Sequence, residues 1–492
     1  MSARPGFSSD IPRPYATHDA VVVIPGIMGS VLVDRDAPQK PVWGDGPVAA
    51  SWFSGAALRR LRLTEEEQEG HYGRIVPGGL LRYAAWFPGF RGIERYRDLV
   101  RGVHGAVAHE KAVLEFPYDW RLPVAHNARL LAEAALIHLE QWRAHDAHDA
   151  AMRQQPSQPQ DPAQLVLVAH SMGGLLARRV SLDPDVQPLV RTCVTLGSPF
   201  HGTPKAAVLL NSGRGLPFLP ARRPASALLR PDPDDGLRAL AVTLPGVYDL
   251  LPQYRCLDEG GSGRRLTAAD VVRLGGDPVQ AAAWQERQVP NPPALAGDHQ
   301  LLLGTAQRTA QSLRIDDGVV TPLFTTLRGT TEEPRRENEW GDGTVPSCSA
   351  EVPGVRPVGR LFQSHSDLGR ADEVVRWVVR ILRDGDLGTG GPPLGTDTGR
   401  IGLDTPDGVV VPHQTWTAVV TGAEVRPGAF CTVESVDTRR RWADRVRLQP
   451  RDGELHAPVT LDSPGLYRVT FQPPGGAPVS QLVFATGPEH DD

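Results

Sequence analysis

Apolar positions through most of the chain fall into short runs separated by longer stretches of helical period. AVVVIPG (Ala20–Gly26) is a β-branched run stopped by Pro-Gly, the pattern of a strand buried on both faces. AVLEFPYDWR (Ala112–Arg121) predicts a second, shorter strand followed by a polar-aromatic turn. NARLLAEAALIHLEQW (Asn127–Trp142) repeats Leu and Ala at helical spacing, and the Gln/Pro-rich RQQPSQPQDPAQ (Arg153–Gln164) reads as a surface loop. LVLVAH (Leu165–His170) predicts a strand, MGGLLARRV (Met172–Val180) a helix and CVTLGSP (Cys193–Pro199) a further strand. LLLGTAQRT (Leu301–Thr309) and VGRLFQ (Val358–Gln363) add two more strands, before the amphipathic helix ADEVVRWVVRILRDG (Ala371–Gly385). This alternation predicts an α/β domain over residues 1–385, a doubly wound and mostly parallel sheet with helices on both faces.

The rhythm breaks twice. Over about residues 207–256 it loosens into an insertion, GLPFLPARRPASALLRPDPDD, expected either to pack over the sheet as a loop or to form a lid in which Leu216, Phe218 and Leu219 would supply apolar contact and Arg222 and Arg223 would meet anionic headgroups. Residues 386–400 have linker composition, Gly, Pro and Thr with almost nothing to bury. From residue 401 to 487 the grammar is short alternating runs divided by Gly, Pro and Asp turns, which predicts a small antiparallel β-sandwich. Within it SPGLYRVTF resembles the Tyr-bearing strand of immunoglobulin-like modules.

Composition narrows the function classes. A chain of 492 residues with a formal net charge of −5 has room for a catalytic unit plus a module, and no basic run for nucleic acid. Its 4 cysteines show no Cys-x-x-Cys spacing, so neither a zinc site nor a dense disulfide framework is expected, and one disulfide stays open. No motif asks for a metal or a cofactor. The N-terminal stretch lacks the apolar core of a secretory signal, and no run approaches the roughly 18–20 apolar residues of a spanning helix. A soluble, cytoplasmic protein is the expectation.

The chemistry centres on AHSMGG (Ala169–Gly174), where the LVLVAH strand gives way to a helix. A serine there is either incidental to a tight connection or a nucleophile raised on a sharp elbow, with Gly173 and Gly174 letting helix and strand approach. The second reading requires a base, an acid and an oxyanion site. In doubly wound hydrolases the chain order is Ser, acid, His, which leaves His201, His299 and His365 downstream of Ser171. His201 comes too soon for an acid to precede it, and His299 stands before a strand, at the wrong end of the sheet. His365, after a strand and before the last helix, is the better base. Asp342 in Gly-Asp-Gly lies between Ser171 and His365, though taken alone such a stretch reads as a turn. Asp367 is a rival acid, better placed to cap the following helix. The oxyanion donors would be the backbone N–H of Met172 and that of Ile27 in PGIMGS, with Met28 second.

In order along the chain, VVVIPGIMGS, FPYDWRLP, VLVAHSMGGLLAR, TLGSPFHGTP, LPGVYDLLP, GDGTVP and SHSDL resemble the lecithin:cholesterol acyltransferase family of α/β-hydrolases. That family includes phospholipid acyltransferases and phospholipases A. The resemblance spans residues 20 to 385 and implies Ser171 as nucleophile, Asp342 as acid, His365 as base, and Ile27 and Met172 as oxyanion donors. It implies a structural part for Tyr118, Asp119 and Trp120. The elbow begins with Ala where many hydrolases have Gly, and the insertion has its own sequence, so acyl and acceptor preferences do not carry over. The expected activity is cleavage or transfer of the acyl group of a phospholipid or other lipid ester, with the insertion touching the membrane surface. A serine esterase for a non-lipid ester and a catalytically silent binding protein on the same fold are the alternatives.

Overall fold

The computed structural model describes residues 16–44, 55–87, 91–154, 162–211, 233–260, 262–288, 295–329, 334–355, 357, 359–384, 400–422, 429–436, 443–474 and 476–486. Six strands form one sheet: β1 (Ala20–Ile24), β2 (Val113–Glu115), β3 (Leu165–His170), β4 (Val190–Leu196), β5 (Asp298–Gly304) and β6 (Gly359–Leu361). Their order is β6-β5-β4-β3-β1-β2, and every neighbouring pair is parallel. All residues of β1 and β3 are buried, as continuous apolar runs require when helices cover both faces. Each Val or Leu so buried contributes on the order of 1.5–3 kcal/mol.

Among the helices are α1 (Arg97–Ala106), α2 (Val124–Arg143), α3 (Gly173–Ser181) and α4 (Asp372–Asp384). The long α2 buries the Leu/Ala stripe of its period, including Leu131, Ala135 and Leu139, and Trp142 Nε1 donates to the His18 carbonyl at 2.7 Å beside β1. Strand order reverses at β1, which has β2 on one side and β3 on the other. Clefts open at the carboxyl ends of strands beside such a reversal.

Several antiparallel pieces escaped the periodicity. Residues 30–34, 37–43 and 75–80 make a three-stranded sheet, and 257–259, 262–264, 312–316 and 319–323 make a mostly antiparallel four-stranded one. They are short, half-exposed and interrupted by Pro and Gly, so neither a period of two nor an apolar run marks them. In the insertion, helices run over Pro204–Leu210, Pro233–Ala241 and Pro245–Tyr248. Leu216, Phe218, Leu219, Arg222 and Arg223 lie outside the described residues, as does nearly all of the linker. The 4 cysteines are free. Among the described residues no helix is long and apolar enough to cross a membrane.

Beyond the linker stand two four-stranded antiparallel sheets. One is β7 (Gly402–Asp404), β8 (Trp416–Thr421), β12 (Glu454–Val459) and β11 (Gln449–Arg451) in that order; the other is β10 (Ala443–Arg447), β9 (Phe430–Ser435), β13 (Gly465–Phe471) and β14 (Val479–Ala485). Val420, Val433, Ala457, Val469 and Val483 share a core between them. β14 departs from the alternation expected of a half-exposed strand, since all 7 of its residues are buried. Val479, Val483 and Ala485 enter the module's own core, while Leu482 and Phe484, on the opposite pleat, pack with Leu466 against Ala84 and Trp86 of the α/β body.

Candidate active site

Ser171 follows β3 directly and takes φ 55°, a left-handed value rare for a residue with a side chain. The strained turn is held by Ser171 N–H donating to the Leu196 carbonyl at 2.9 Å and by Gly174 N–H donating back to the Ser171 carbonyl at 2.9 Å. Close approach explains the small residues, because a Cβ on Gly173 would stand 2.5 Å from the Pro25 carbonyl oxygen. The geometry thus raises a hydroxyl at the carboxyl edge of the sheet, next to the strand-order reversal.

His365 lies on the loop after β6, and its Nε2 is 2.8 Å from Ser171 Oγ. Its Nδ1 is 2.7 Å from Asp342 Oδ2, and its backbone N–H donates to the Asp342 carbonyl at 2.8 Å. Asp342 is 2% exposed, and its other oxygen accepts from the backbone N–H groups of Thr344 and Val345 at 2.9 and 2.7 Å. With both oxygens engaged the carboxylate is fixed in direction, so Nδ1 of His365 carries hydrogen and Nε2 faces serine as the acceptor.

The backbone N–H groups of Ile27 and Met172 donate to nothing among the described residues. Ile27 lines the same cleft as Ser171, whereas Met28 is fully buried and its carbonyl accepts from Trp43 Nε1. The cleft is walled largely by apolar groups, among them Ile27, Ile93, Leu250 and Val345. Tyr118 is structural in a specific way: its hydroxyl donates to the Pro25 carbonyl at 3.0 Å and steadies the loop that carries Ile27. Asp119 neutralises the buried Arg121, and Trp120 packs edge-on against Trp43.

The rejected candidates lie elsewhere. His299 sits at the amino end of β5, with Nε2 2.8 Å from Thr195 Oγ1, and burial followed by nearby Arg178 pushes its pKa down to about 4. His201 donates its N–H to the Ser349 carbonyl. Asp367 corrects an expectation, for it does not cap α4. Its carboxylate accepts from Ser480 N–H at 3.2 Å, Ser480 Oγ at 2.6 Å and Arg370 Nε at 3.0 Å, because β14 passes within reach and offers stronger partners than the helix end.

Two residues were missed. His170 Nε2 is 2.9 Å from the His365 carbonyl, and its Nδ1 is 2.7 Å from the Tyr96 hydroxyl, which also accepts the Gly26 N–H at 2.8 Å. A carbonyl only accepts and an N–H only donates, so every bond in this line has one sense: Gly26 to Tyr96, Tyr96 to His170, His170 to His365. Burial, then the proximity of His365, pushes the His170 pKa down to about 3, so the ring stays neutral and the line intact. The position of His170 inside AHSMGG was the available signal; Tyr96 had none.

The parallel sheet, its crossing helices and the strand-to-helix elbow define an α/β-hydrolase-like body joined to several antiparallel sheets. Residues 124–209, from α2 through the elbow to the helix after β4, match the family model described as PGAP1-like alpha/beta domain. Among solved structures, the lipase BlEst2 of Bacillus licheniformis in its propeptide form is similar at 11% identity, covering 96% of this chain and 94% of that one with a TM-score of 0.33. No curated protein matches.

Proposed function

We propose that the protein is a serine acyl hydrolase or acyltransferase acting on lipid esters, with Ser171 as nucleophile, His365 as base and Asp342 as its orienting acid. The observation that carries this reading is the continuous hydrogen-bonded line from Asp342 through His365 to a serine in a left-handed elbow. Ser171 Oγ attacks the ester carbonyl as His365 Nε2 takes its proton, and the free N–H groups of Ile27 and Met172 receive the oxyanion. The proton returns to the departing alkoxide, leaving an acyl-serine. Water or a second alcohol, activated by the same histidine, then releases the acyl group.

The apolar cleft and a motif order that resembles that of lecithin:cholesterol acyltransferases support an acyl chain over a polar group. Hydrolysis is the expected outcome in dilute solution, where water occupies the attack position. The test is labelling by a fluorophosphonate, followed by turnover on phospholipid vesicles and on a soluble short-chain ester, with and without a lipophilic alcohol. Absence of labelling removes the serine mechanism. Cleavage of the soluble ester alone removes the lipid assignment, and new ester as the main product makes the protein a transferase.

A further inference from the structure

The C-terminal module touches the α/β body through one side of β13 and β14, and through β7. Because side chains alternate, Leu466 and Arg468 of β13 share a pleat face with Ser480, Leu482 and Phe484 of β14, and the register pairs Leu466 with Phe484 and Arg468 with Leu482. Two sets of contacts from this face lead toward the cleft. Ser480 gives its N–H and hydroxyl to Asp367, two residues after His365, and its oxygen accepts from Arg370 Nη2 at 3.0 Å. Gln363, two residues before His365, donates to the Pro478 carbonyl at 3.1 Å. The base loop is therefore gripped on both sides of the histidine by the strand's first residues and their approach.

A second grip holds the cleft wall. Ile93 and Glu94 line the cleft, and Glu94 Oε1 accepts from Arg468 Nε and Nη2 at 3.0 and 2.6 Å, with Arg370 Nε at 3.3 Å. Leu482 packs against the backbone at Gly92, and Phe484 stacks on Trp86 with ring centroids 5.4 Å apart. The pairing matters chemically, since the two guanidinium groups neutralise a carboxylate that would otherwise stand bare in an apolar cleft. A third grip reaches the acid: Gln307, whose N–H donates to the Gly341 carbonyl next to Asp342, accepts from Leu403 N–H at 3.1 Å.

We propose that this face of the module is a positioning surface for the ester site, with Ser480 acting through Asp367 on the His365 loop and Arg468 acting through Glu94 on the cleft wall. The proposal rests on the serine-hydrolase reading above. Ser480 and Arg468 touch no reacting atom, so their removal alters where the base and the wall stand, not what they are.

The experiment uses the full chain, with active sites counted by fluorophosphonate and turnover of a short-chain ester expressed per labelled site. A purely structural part for Ser480 would lower the number of labelled sites and the unfolding temperature, leaving turnover per site unchanged. Positioning predicts that Ser480→Ala lowers kcat per site about tenfold with KM within about twofold, and that Ser480→Thr, which keeps the hydroxyl, restores most of it. Arg468→Lys, which keeps the charge but not the two-pronged grip, is expected to raise KM several-fold. Unchanged kcat per site in Ser480→Ala with a reactive wild type overturns the positioning surface while leaving the hydrolase reading in place. A wild type that does not label removes both. Should Ser480→Ala fail to fold, Arg468→Lys decides, and wild-type KM and kcat in that variant overturn the proposal.

Discussion

Ser171 and His365 stand 2.8 Å apart yet are held in opposite ways. The serine is fixed by backbone: a buried strand, a left-handed turn and two amide hydrogen bonds, all within the β3–α3 connection and its neighbour β4. The histidine sits on a loop held by residues far away in sequence: Asp342 and His170 bond to the histidine itself, and Ser480 and Pro478 hold its near neighbours Asp367 and Gln363. A local device tolerates little change but depends on few residues. A distributed one depends on many, and each contributes a share.

The largest effect expected is from the reacting groups themselves. Ser171→Ala and His365→Ala should each lower ester turnover by a factor on the order of 10⁴ or more, with the unfolding temperature nearly unchanged, since members of such a set act as a unit. Steady-state kinetics and a thermal melt check this, and full activity in either variant breaks the comparison at its root.

Gly197→Ala tests the distributed side through sterics. Gly197 follows β4 at φ 56°, and a Cβ there would lie 2.5 Å from Leu368 Cδ1 and 2.8 Å from Asp342 Oδ2. The expected result is a loss of about 1–3 kcal/mol in denaturant unfolding and a fall in kcat of about a hundredfold as the acid is displaced. Gly105→Ala, in the last turn of α1 with nothing within 4 Å of the new carbon, is the control and should be neutral or slightly stabilising.

Tyr96→Phe should act more gently. It strands the buried Gly26 N–H, a cost of about 1–3 kcal/mol, and frees His170 to turn away from the His365 carbonyl. A drop in kcat of about tenfold with KM little changed is expected, and equal activity would show that the base loop needs no support from that side.

At neutral pH a further effect is silent, and it emerges on acidification as a pH dependence of stability. The folded-state pKa of His170 is held down to about 3 against an ordinary 6.5, and that of His299 to about 4, so between those values and 6.5 the unfolded chain binds more protons. Their contribution is complete above pH 6.5 and is lost as pH falls toward 4 and then 3. Unfolding temperature should decline over that window, and His170→Gln should flatten the decline.

What could be read in advance follows the same division. β1, β3, α2 and the elbow announce themselves because burial on both faces or a helical stripe is written in contiguous residues. Asp342 in GDGTVP stands apart from an ordinary turn only by the company of other motifs, because its partner is a histidine further along. Tyr96 reaches His170 across 74 positions, and Asp367 reaches Ser480 across 113, so neither leaves a local trace. Leu482 and Phe484 stand in a short alternating run, and periodicity reports that a face is apolar but not what covers it.

Chain order also gives the parts of the site an order in time. The elbow is complete soon after α3 is made, His365 follows 194 residues after Ser171, and the docking strand β14 comes later than His365. A nascent chain on the ribosome therefore carries Ser171 long before His365, and His365 before the strand that holds its loop. On the proposed reading, ester cleavage waits for His365 and reaches its full rate only once β14 has docked.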